Sequence, residues 1–111
     1  MEIQIERGRN YAVIHVSGDV DLYTSPQLRQ EILKLANKKN MAVLVDFRQV
    51  TYMDSSGVAT LVEALQLTKK NGGKLRLFHL AQPIKDLFEL SRLDRVFDVY
   101  ETEQQAKEGI S

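Results

Sequence analysis

The 111-residue chain contains no cysteine. This absence excludes a disulfide framework, catalysis by a thiol and a zinc site built on thiolates. Histidine, the other common metal ligand and general base, occurs only at His15 and His79, far apart in the sequence. We therefore expect neither a cofactor nor a bound metal.

The chain also has no excess of charge of either sign. Fifteen Lys and Arg balance fifteen Asp and Glu, so the formal net charge at pH 7 is zero. A neutral chain has no overall field that attracts phosphate backbones or anionic lipids. Two lysine pairs, 38–39 and 69–70, stand where helices are predicted to end and where a cation suits the helix dipole. The charge balance therefore predicts no direct nucleic-acid partner and no membrane partner.

Long apolar runs are missing as well. The longest, Met41 to Val45, is far shorter than the roughly 20 residues that span a bilayer. No charged leader followed by an apolar stretch and a cleavage site opens the sequence. These features predict a cytoplasmic protein. The length, with 43% hydrophobic and 27% charged residues, is typical of a single globular domain over residues 1–111.

The hydrophobic pattern predicts alternating strands and helices. Ile3 and Ile5 alternate before a Gly-Arg-Asn turn and the β-favouring stretch 11–16, a pattern typical of a hairpin. Apolar residues at helical spacing begin at Leu28, Val58 and Ile84. Further strands are predicted at "MAVLVDF", "KLRLFHL" and "RVFDVY". A short helix is expected at the end of the chain.

The order of these elements predicts an α/β fold: a mixed, largely parallel sheet covered by about four helices. "MAVLVDF" is almost continuously apolar, which indicates a strand buried on both faces at the centre of the sheet. In open α/β sheets, ligands and partners gather beyond the carboxyl ends of the strands. A functional site is therefore expected at the junctions between strands and helices.

Two helix starts show the spacing of a capping box. They are Thr24 with Gln27 and Thr102 with Gln105. Thr24 or Ser25 is the predicted N-cap of the first helix.

The stretch "MDSSGV" at residues 53–58 lies at one of these strand-to-helix junctions. If Asp54 or Ser55 caps the helix, the following N–H groups lack internal partners and favour an anion. Asp-Ser-Ser-Gly is equally consistent with a simple cap and tight turn, in which Gly57 permits close packing. The residues alone leave two interpretations open, a structural cap and a displayed hydroxyl.

Nucleophilic catalysis at this serine pair is not predicted. A serine hydrolase elbow has the pattern G-x-S-x-G, and Met53 stands where the first glycine would be. A catalytic serine also needs a base. His15 and His79 both lie in apolar strand segments, where a packed or edge histidine is more common than a general base.

Phosphate-loop and metal chemistry are equally poorly supported. Gly57 is not followed by the lysine of a phosphate-binding loop. Asp19 and Asp21 form a carboxylate pair, but two carboxylates in a turn are usually solvent-facing turn formers. No further ligands accompany them.

A serine that is itself modified remains after this elimination. Phosphorylation adds about −1.5 to −2 charges, which a helix start tolerates. The fold should therefore survive it, and the effect should fall on a partner that docks against this surface. A partner that fits the neutral hydroxyl would lose complementarity through repulsion and through poor pairing of the phosphate.

At this point the residues resemble a known family, the anti-sigma-factor antagonists built on the STAS domain. The most specific segment is "VDFRQVTYMDSSGVATLVEA", and a second is "VSGDVDLYTSPQLRQ". The segment "KNGGKLRLFHLAQPIKDLFELSRLDRVFDVYET" is similar to the carboxyl-terminal half of the family. The resemblance runs almost from end to end and implies the STAS fold.

The resemblance implies a non-enzymatic switch. The unphosphorylated form would bind an anti-sigma factor that is also a serine kinase, and so release the sigma factor. Phosphorylation would switch this binding off, and a serine phosphatase would restore it. The family's phosphoacceptor, the serine directly after the aspartate, falls on Ser55.

Four further residues are assigned to partner binding by the same resemblance. Asp54 would hold the loop or align the hydroxyl, and Ser56 and Gly57 would shape the helix start. Asp21 lies in the loop that the family uses beside the acceptor. The alternative is a STAS scaffold of a stress-signalling or lipid-transport complex, in which the serines are only a cap.

Overall fold

Five strands form one sheet in the order in which they occur along the chain. The computed structural model describes residues 1–110. The strands are β1 (Glu2–Arg7), β2 (Tyr11–Ser17), β3 (Ala42–Gln49), β4 (Lys74–Phe78) and β5 (Asp98–Tyr100). β1 is antiparallel to β2, as the predicted hairpin requires, and the remaining neighbours are parallel. The predicted central strand is β3, which confirms the interpretation of its continuous apolar run.

Within residues 1–110, four α-helices connect or follow the strands: α1 (Ser25–Ala36), α2 (Ser55–Lys70), α3 (Gln82–Leu90) and α4 (Glu103–Ala106). The predicted order of strands and helices is confirmed. One short element was not predicted, a 3₁₀ turn at Leu93–Arg95. No helix within residues 1–110 combines the length and the apolar character needed to cross a membrane.

The two faces of the sheet are covered unequally. Alternate side chains of a strand point to opposite faces, and one face carries the main core, to which α1, α2 and α3 contribute residues such as Leu28, Leu61 and Phe88. The other face has a small cluster in which Val13, Leu44, Phe78 and Ala106 are buried. The short helix α4 therefore covers only part of the second face.

The two predicted capping boxes differ in outcome. The Thr102 hydroxyl accepts from the Gln105 amide at 3.2 Å, as predicted. Thr24 is the N-cap of α1 by position, but its side chain makes no capping hydrogen bond. Its hydroxyl instead donates to the Asp19 carbonyl at 2.8 Å and accepts from the Asp21 amide at 2.9 Å. The box was wrongly predicted there because the preceding turn competes for the same hydroxyl.

The parallel strands give the molecule two distinct ends. At one end, which we call the carboxyl end, strands β2 and β3 run into residues 18–24 and 50–54 before α1 and α2 begin. At the opposite, amino end lie the hairpin turn 8–10 and the turns 37–41 and 71–73 that lead into β3 and β4. The stretch 53–58 lies at the carboxyl end, where partners of such sheets are expected.

Candidate functional site

Two loops are joined at the carboxyl end of the sheet. Val20 and Met53 form an isolated parallel bridge. The Val20 amide donates to the Tyr52 carbonyl at 3.0 Å, and the Asp54 amide donates to the Val20 carbonyl at 3.1 Å. The loop after β2 and the loop after β3 therefore act as one surface. All five residues singled out in the sequence lie on it: Asp21, Asp54, Ser55, Ser56 and Gly57.

Asp54 is the N-cap of α2. Its Oδ1 accepts from the Ser56 amide at 2.9 Å and from the Ser56 hydroxyl at 2.5 Å. The Ser56 hydroxyl, with the backbone amides of Ser56, Gly57 and Leu22, holds the pKa of Asp54 below its ordinary value. The start of α2 therefore already carries an ionised carboxylate, and one of the two open interpretations, the cap, is present in the structure.

The two adjacent serines differ in their surroundings. Ser56 is half-buried, and its hydroxyl is occupied by Asp54. Ser55 is the first residue of α2 and is exposed. A displayed hydroxyl therefore coexists with the cap, because one serine serves the cap while its neighbour faces solvent.

Gly57 is buried beneath the two joined loops. A methyl group placed on its Cα would lie 2.7 Å from Met53 Cγ and 2.7 Å from Val20 Cγ1. Carbon atoms at that distance overlap, since their favourable separation is about 3.5–4.0 Å. The predicted close packing at this glycine is confirmed.

Asp21 supports its own loop. Its Oδ1 accepts from the amide of Tyr23 at 2.9 Å and from the amide of Thr24 at 3.0 Å. These bonds form a compact turn of the kind that aspartate favours. The backbone amide of Leu22, the residue after Asp21, is one of the groups that lower the pKa of Asp54, so the Asp21 turn lies beside the start of α2.

Exposed apolar side chains surround the site, and sequence reasoning did not identify them. Leu22, Tyr23 and Tyr52 are 69%, 89% and 51% exposed, and we call them the apolar rim. Exposed aromatic residues are enriched at protein interfaces. Their signal in the sequence was the presence of bulky apolar residues in the two loops that precede α1 and α2.

A second polar cluster lies on β2, on β3 and directly after β4. His15 Nδ1 is 2.8 Å from Asp46 Oδ2, and His79 Nδ1 is 3.2 Å from Asp46 Oδ1. The Arg48 amide donates to Asp46 Oδ1 at 3.0 Å. Since an ionised carboxylate only accepts, the Nδ1 of each ring is the donor wherever it bonds to Asp46. Each histidine was predicted as a packed or edge residue; the structure shows both half-buried and bonded to one carboxylate.

This cluster makes stability depend on pH. Burial raises the pKa of Asp46, but the Arg48 amide and the rings of His15 and His79 outweigh burial and lower it below its ordinary value. When the pKa of a carboxyl group is lower in the folded state, its ionised form adds to the free energy of unfolding. This contribution is complete above the unfolded pKa and is lost as pH falls through the folded pKa.

We therefore expect Asp46→Asn to be less stable than the unmodified protein at pH 7, and the difference to shrink as pH falls below about 4. Urea denaturation at several pH values measures both free energies of unfolding. Asp94→Asn, an exposed residue outside the cluster, is the control. An identical pH slope for Asp46→Asn and the unmodified protein would contradict the assignment.

Metal ligands do not converge in the part of the chain that the structure describes. Within residues 1–110, no three His, Asp or Glu side chains are placed to hold an ion together. The Asp21 carboxylate is committed to its turn, as described above, and Asp19 takes part in that turn through its backbone carbonyl.

The fold and the site define a small α/β domain of mixed sheet that presents a capped helix start and an exposed hydroxyl at one end. The chain belongs to the STAS domain family, whose model matches residues 2–106. The resemblance seen in the sequence is thereby confirmed.

Known proteins similar to the chain carry consistent names. The anti-sigma-B factor antagonist of Bacillus subtilis (strain 168) is 27% identical over 99 residues, which cover 89% of this chain and 90% of the relative. The crystal structure of an anti-sigma factor antagonist from Mycobacterium paratuberculosis has a TM-score of 0.82 at 25% identity, covering 95% of this chain and 89% of that one. The Bacillus cell fate determinant SpoIIAA in its phosphorylated form has a TM-score of 0.73 at 22% identity, covering 99% and 100%. The last similarity shows the fold alone.

Proposed function

We propose that this chain is an anti-sigma-factor antagonist whose binding is switched off by phosphorylation on Ser55. It would act as a single, non-enzymatic domain in the cytoplasm, without a cofactor. Its partner would be an anti-sigma factor that is also a serine kinase, and a serine phosphatase would reset it. The names of the relatives support the partner class.

The observation that carries the proposal is the different state of the two hydroxyls. Ser56 is half-buried against Asp54, whereas Ser55 is exposed at the first position of α2. A kinase can phosphorylate a serine only if the hydroxyl enters the active site of the kinase. An exposed serine at the start of a helix can do so without unfolding of the domain. This difference supports Ser55 over Ser56 as the acceptor.

The surroundings of Ser55 support a binding switch. The apolar rim provides area that a docking partner can bury. A phosphate on Ser55 would add about −1.5 to −2 charges next to the ionised Asp54. Because Asp54 already compensates part of the helix dipole, the phosphate would leave this surface strongly negative. A partner surface that fits the neutral hydroxyl and tolerates Asp54 would then be repelled or left with a poorly paired phosphate.

The proposal is tested by incubation with labelled ATP and the anti-sigma kinases of the same organism. Ser55→Ala should abolish labelling. Ser56→Ala is the matched control: it removes a neighbouring hydroxyl from the same helix turn and should still be labelled. Labelling of Ser55→Ala at the level of the unmodified protein would show that the acceptor is another residue. A pull-down with unphosphorylated protein and nucleotide that captures transporter or stress-complex subunits, but no anti-sigma factor, would favour the scaffold function.

A further inference from the structure

The amino end of the sheet carries a concentration of positive charge. Seven exposed cations lie at the end of β1, in the hairpin turn, at and after the ends of α1 and α2, and at the start of β4. Among the ion pairs of residues 1–110, none includes any of the seven. We call this set the basic end: Arg7, Arg9, Lys38, Lys39, Lys69, Lys70 and Lys74.

The turns that carry these cations form one continuous surface. The Asn40 amide donates to the Asn71 carbonyl at 2.9 Å, which joins the turn after α1 to the turn after α2. The Ala42 amide donates to the Asn10 carbonyl at 3.0 Å, which joins the hairpin turn to β3. The seven side chains therefore extend from a connected base and not from independent loops.

Other charges at this end offset the cations only in part. Asp98 lines a shallow pocket with Lys69 and Lys74. Glu108 precedes the residues 109–110 that line a second pocket with Lys74. The carboxyl-terminal dipoles of α1 and α2 add about half a negative charge each. Together these groups balance about three of the seven cations, so the surface remains positive.

The formal net charge of zero hides this polarity, because the carboxyl end is acidic. Asp19, Asp21 and Asp54 lie in its loops. Strand β3, with eight residues, separates the two ends by about 26 Å at roughly 3.3 Å per residue. Charges act over about 8 Å at physiological ionic strength. A surface that touches the basic end is therefore screened from the acidic end.

We propose that the basic end is a docking surface for an anionic lipid bilayer. Five of its seven cations are lysines, which act as point charges without the forked donors that recognise one shaped phosphate. Single-stranded nucleic acids stack their bases on exposed aromatic side chains. The exposed tyrosines, Tyr23 and Tyr52, lie at the other end of the molecule. The flat, negatively charged surface of a bilayer therefore fits the basic end better than a nucleic acid does.

Docking in this orientation has a geometric consequence. Ser55 lies at the carboxyl end, so it would face away from the bilayer and stay open to partners. This proposal is opposite to the expectation drawn from the zero net charge of the sequence, because binding depends on where the charges lie. It does not depend on whether Ser55 is phosphorylated.

Co-sedimentation with phosphatidylcholine vesicles, with and without phosphatidylserine, tests the proposal. The unmodified protein should bind only the vesicles that contain phosphatidylserine, and less at high salt. The double variant Lys69→Gln/Lys70→Gln should bind about 25-fold more weakly, from about five-fold for each lysine removed. The control Arg29→Gln/Lys85→Gln removes the same total charge from residues outside the basic end and should bind normally.

Equal weakening by the two double variants would overturn the proposal, because it would show that net charge alone matters. Failure of the unmodified protein to bind phosphatidylserine vesicles would overturn it as well, and binding to duplex DNA or polyglutamate in that case would assign the surface to another polyanion. Circular dichroism verifies that each variant folds. The labelling of Ser55 in the same variants keeps a failure here distinct from a failure of the proposed function.

Discussion

Protein phosphorylated on Ser55 should bind its anti-sigma partner at least about 100-fold more weakly than the unmodified protein. Like charges brought together across an interface cost several kcal/mol. The phosphate would add to the ionised Asp54 at the centre of the joined loops. Isothermal titration of both forms against the purified partner measures the change. Because Ser55 is exposed, thermal unfolding of the two forms should differ by only a few degrees.

Two variants that each add one negative charge show whether partner binding depends on the position of the added charge or on the total charge. Ser55→Asp should weaken partner binding, by less than phosphorylation does, since aspartate adds one charge and phosphate about two. Ser91→Asp is the matched control, because Ser91 is an exposed serine at the C-cap of α3 and lies outside the proposed interface. If Ser91→Asp weakens binding as much as Ser55→Asp, the local repulsion mechanism is wrong.

Gly57→Ala should destabilise the protein by about 1–3 kcal/mol, which lowers the unfolding temperature by about 4–12 °C. This direction is opposite to the usual effect in a helix, where alanine is more favourable than glycine by up to about 1 kcal/mol. The reason is the 2.7 Å approach of the added carbon to Val20 Cγ1 and Met53 Cγ. Val20 is fully buried and has no flexible end that can move aside.

A double-mutant cycle tests this cause. In the variant Gly57→Ala/Val20→Ala, the new methyl group occupies space that the Val20 methyl groups leave. The double variant should therefore be more stable than the sum of the two single changes predicts. Gly57→Ala/Val43→Ala is the control, because Val43 is equally buried but lies near the amino end of the sheet. Additive free energies of unfolding in both cycles would show that the overlap is not what destabilises Gly57→Ala.

Most of the fold was predictable because its signals are local. The alternation around Ile3 and Ile5, the apolar run of β3 and the helical spacing from Val58 each depend on neighbours a few residues away. The capping box at Thr24 failed for a reason that spacing does not contain. Its hydroxyl bonds within a turn that starts at Asp19, so a competing partner outside the motif decided the outcome.

The surface that carries the candidate site was predictable in place but not in detail. The position of "MDSSGV" between a strand and a helix located the surface, and the family resemblance pointed to Ser55. Cap chemistry suits either serine, so the sequence alone left the two hydroxyls equivalent. The His15–Asp46–His79 cluster was missed because its members are 31 and 33 residues apart along the chain, beyond the reach of any short motif.

The sequence by itself determined the order of strands and helices, the mixed and largely parallel sheet, the family and the helix start at Asp54, because periodicity and capping act over one or two turns of chain. Only the tertiary structure decided which serine is exposed, how the loop of Val20 joins that of Met53, and how a chain with no net charge has a basic end and an acidic end. Burial and electric potential depend on distances in space, and those are set when β2, β3 and β4 pair side by side. The serine pair depends on both. The sequence places two hydroxyls at one helix start, and in the fold the Ser56 hydroxyl bonds to Asp54 while Ser55 is exposed to solvent.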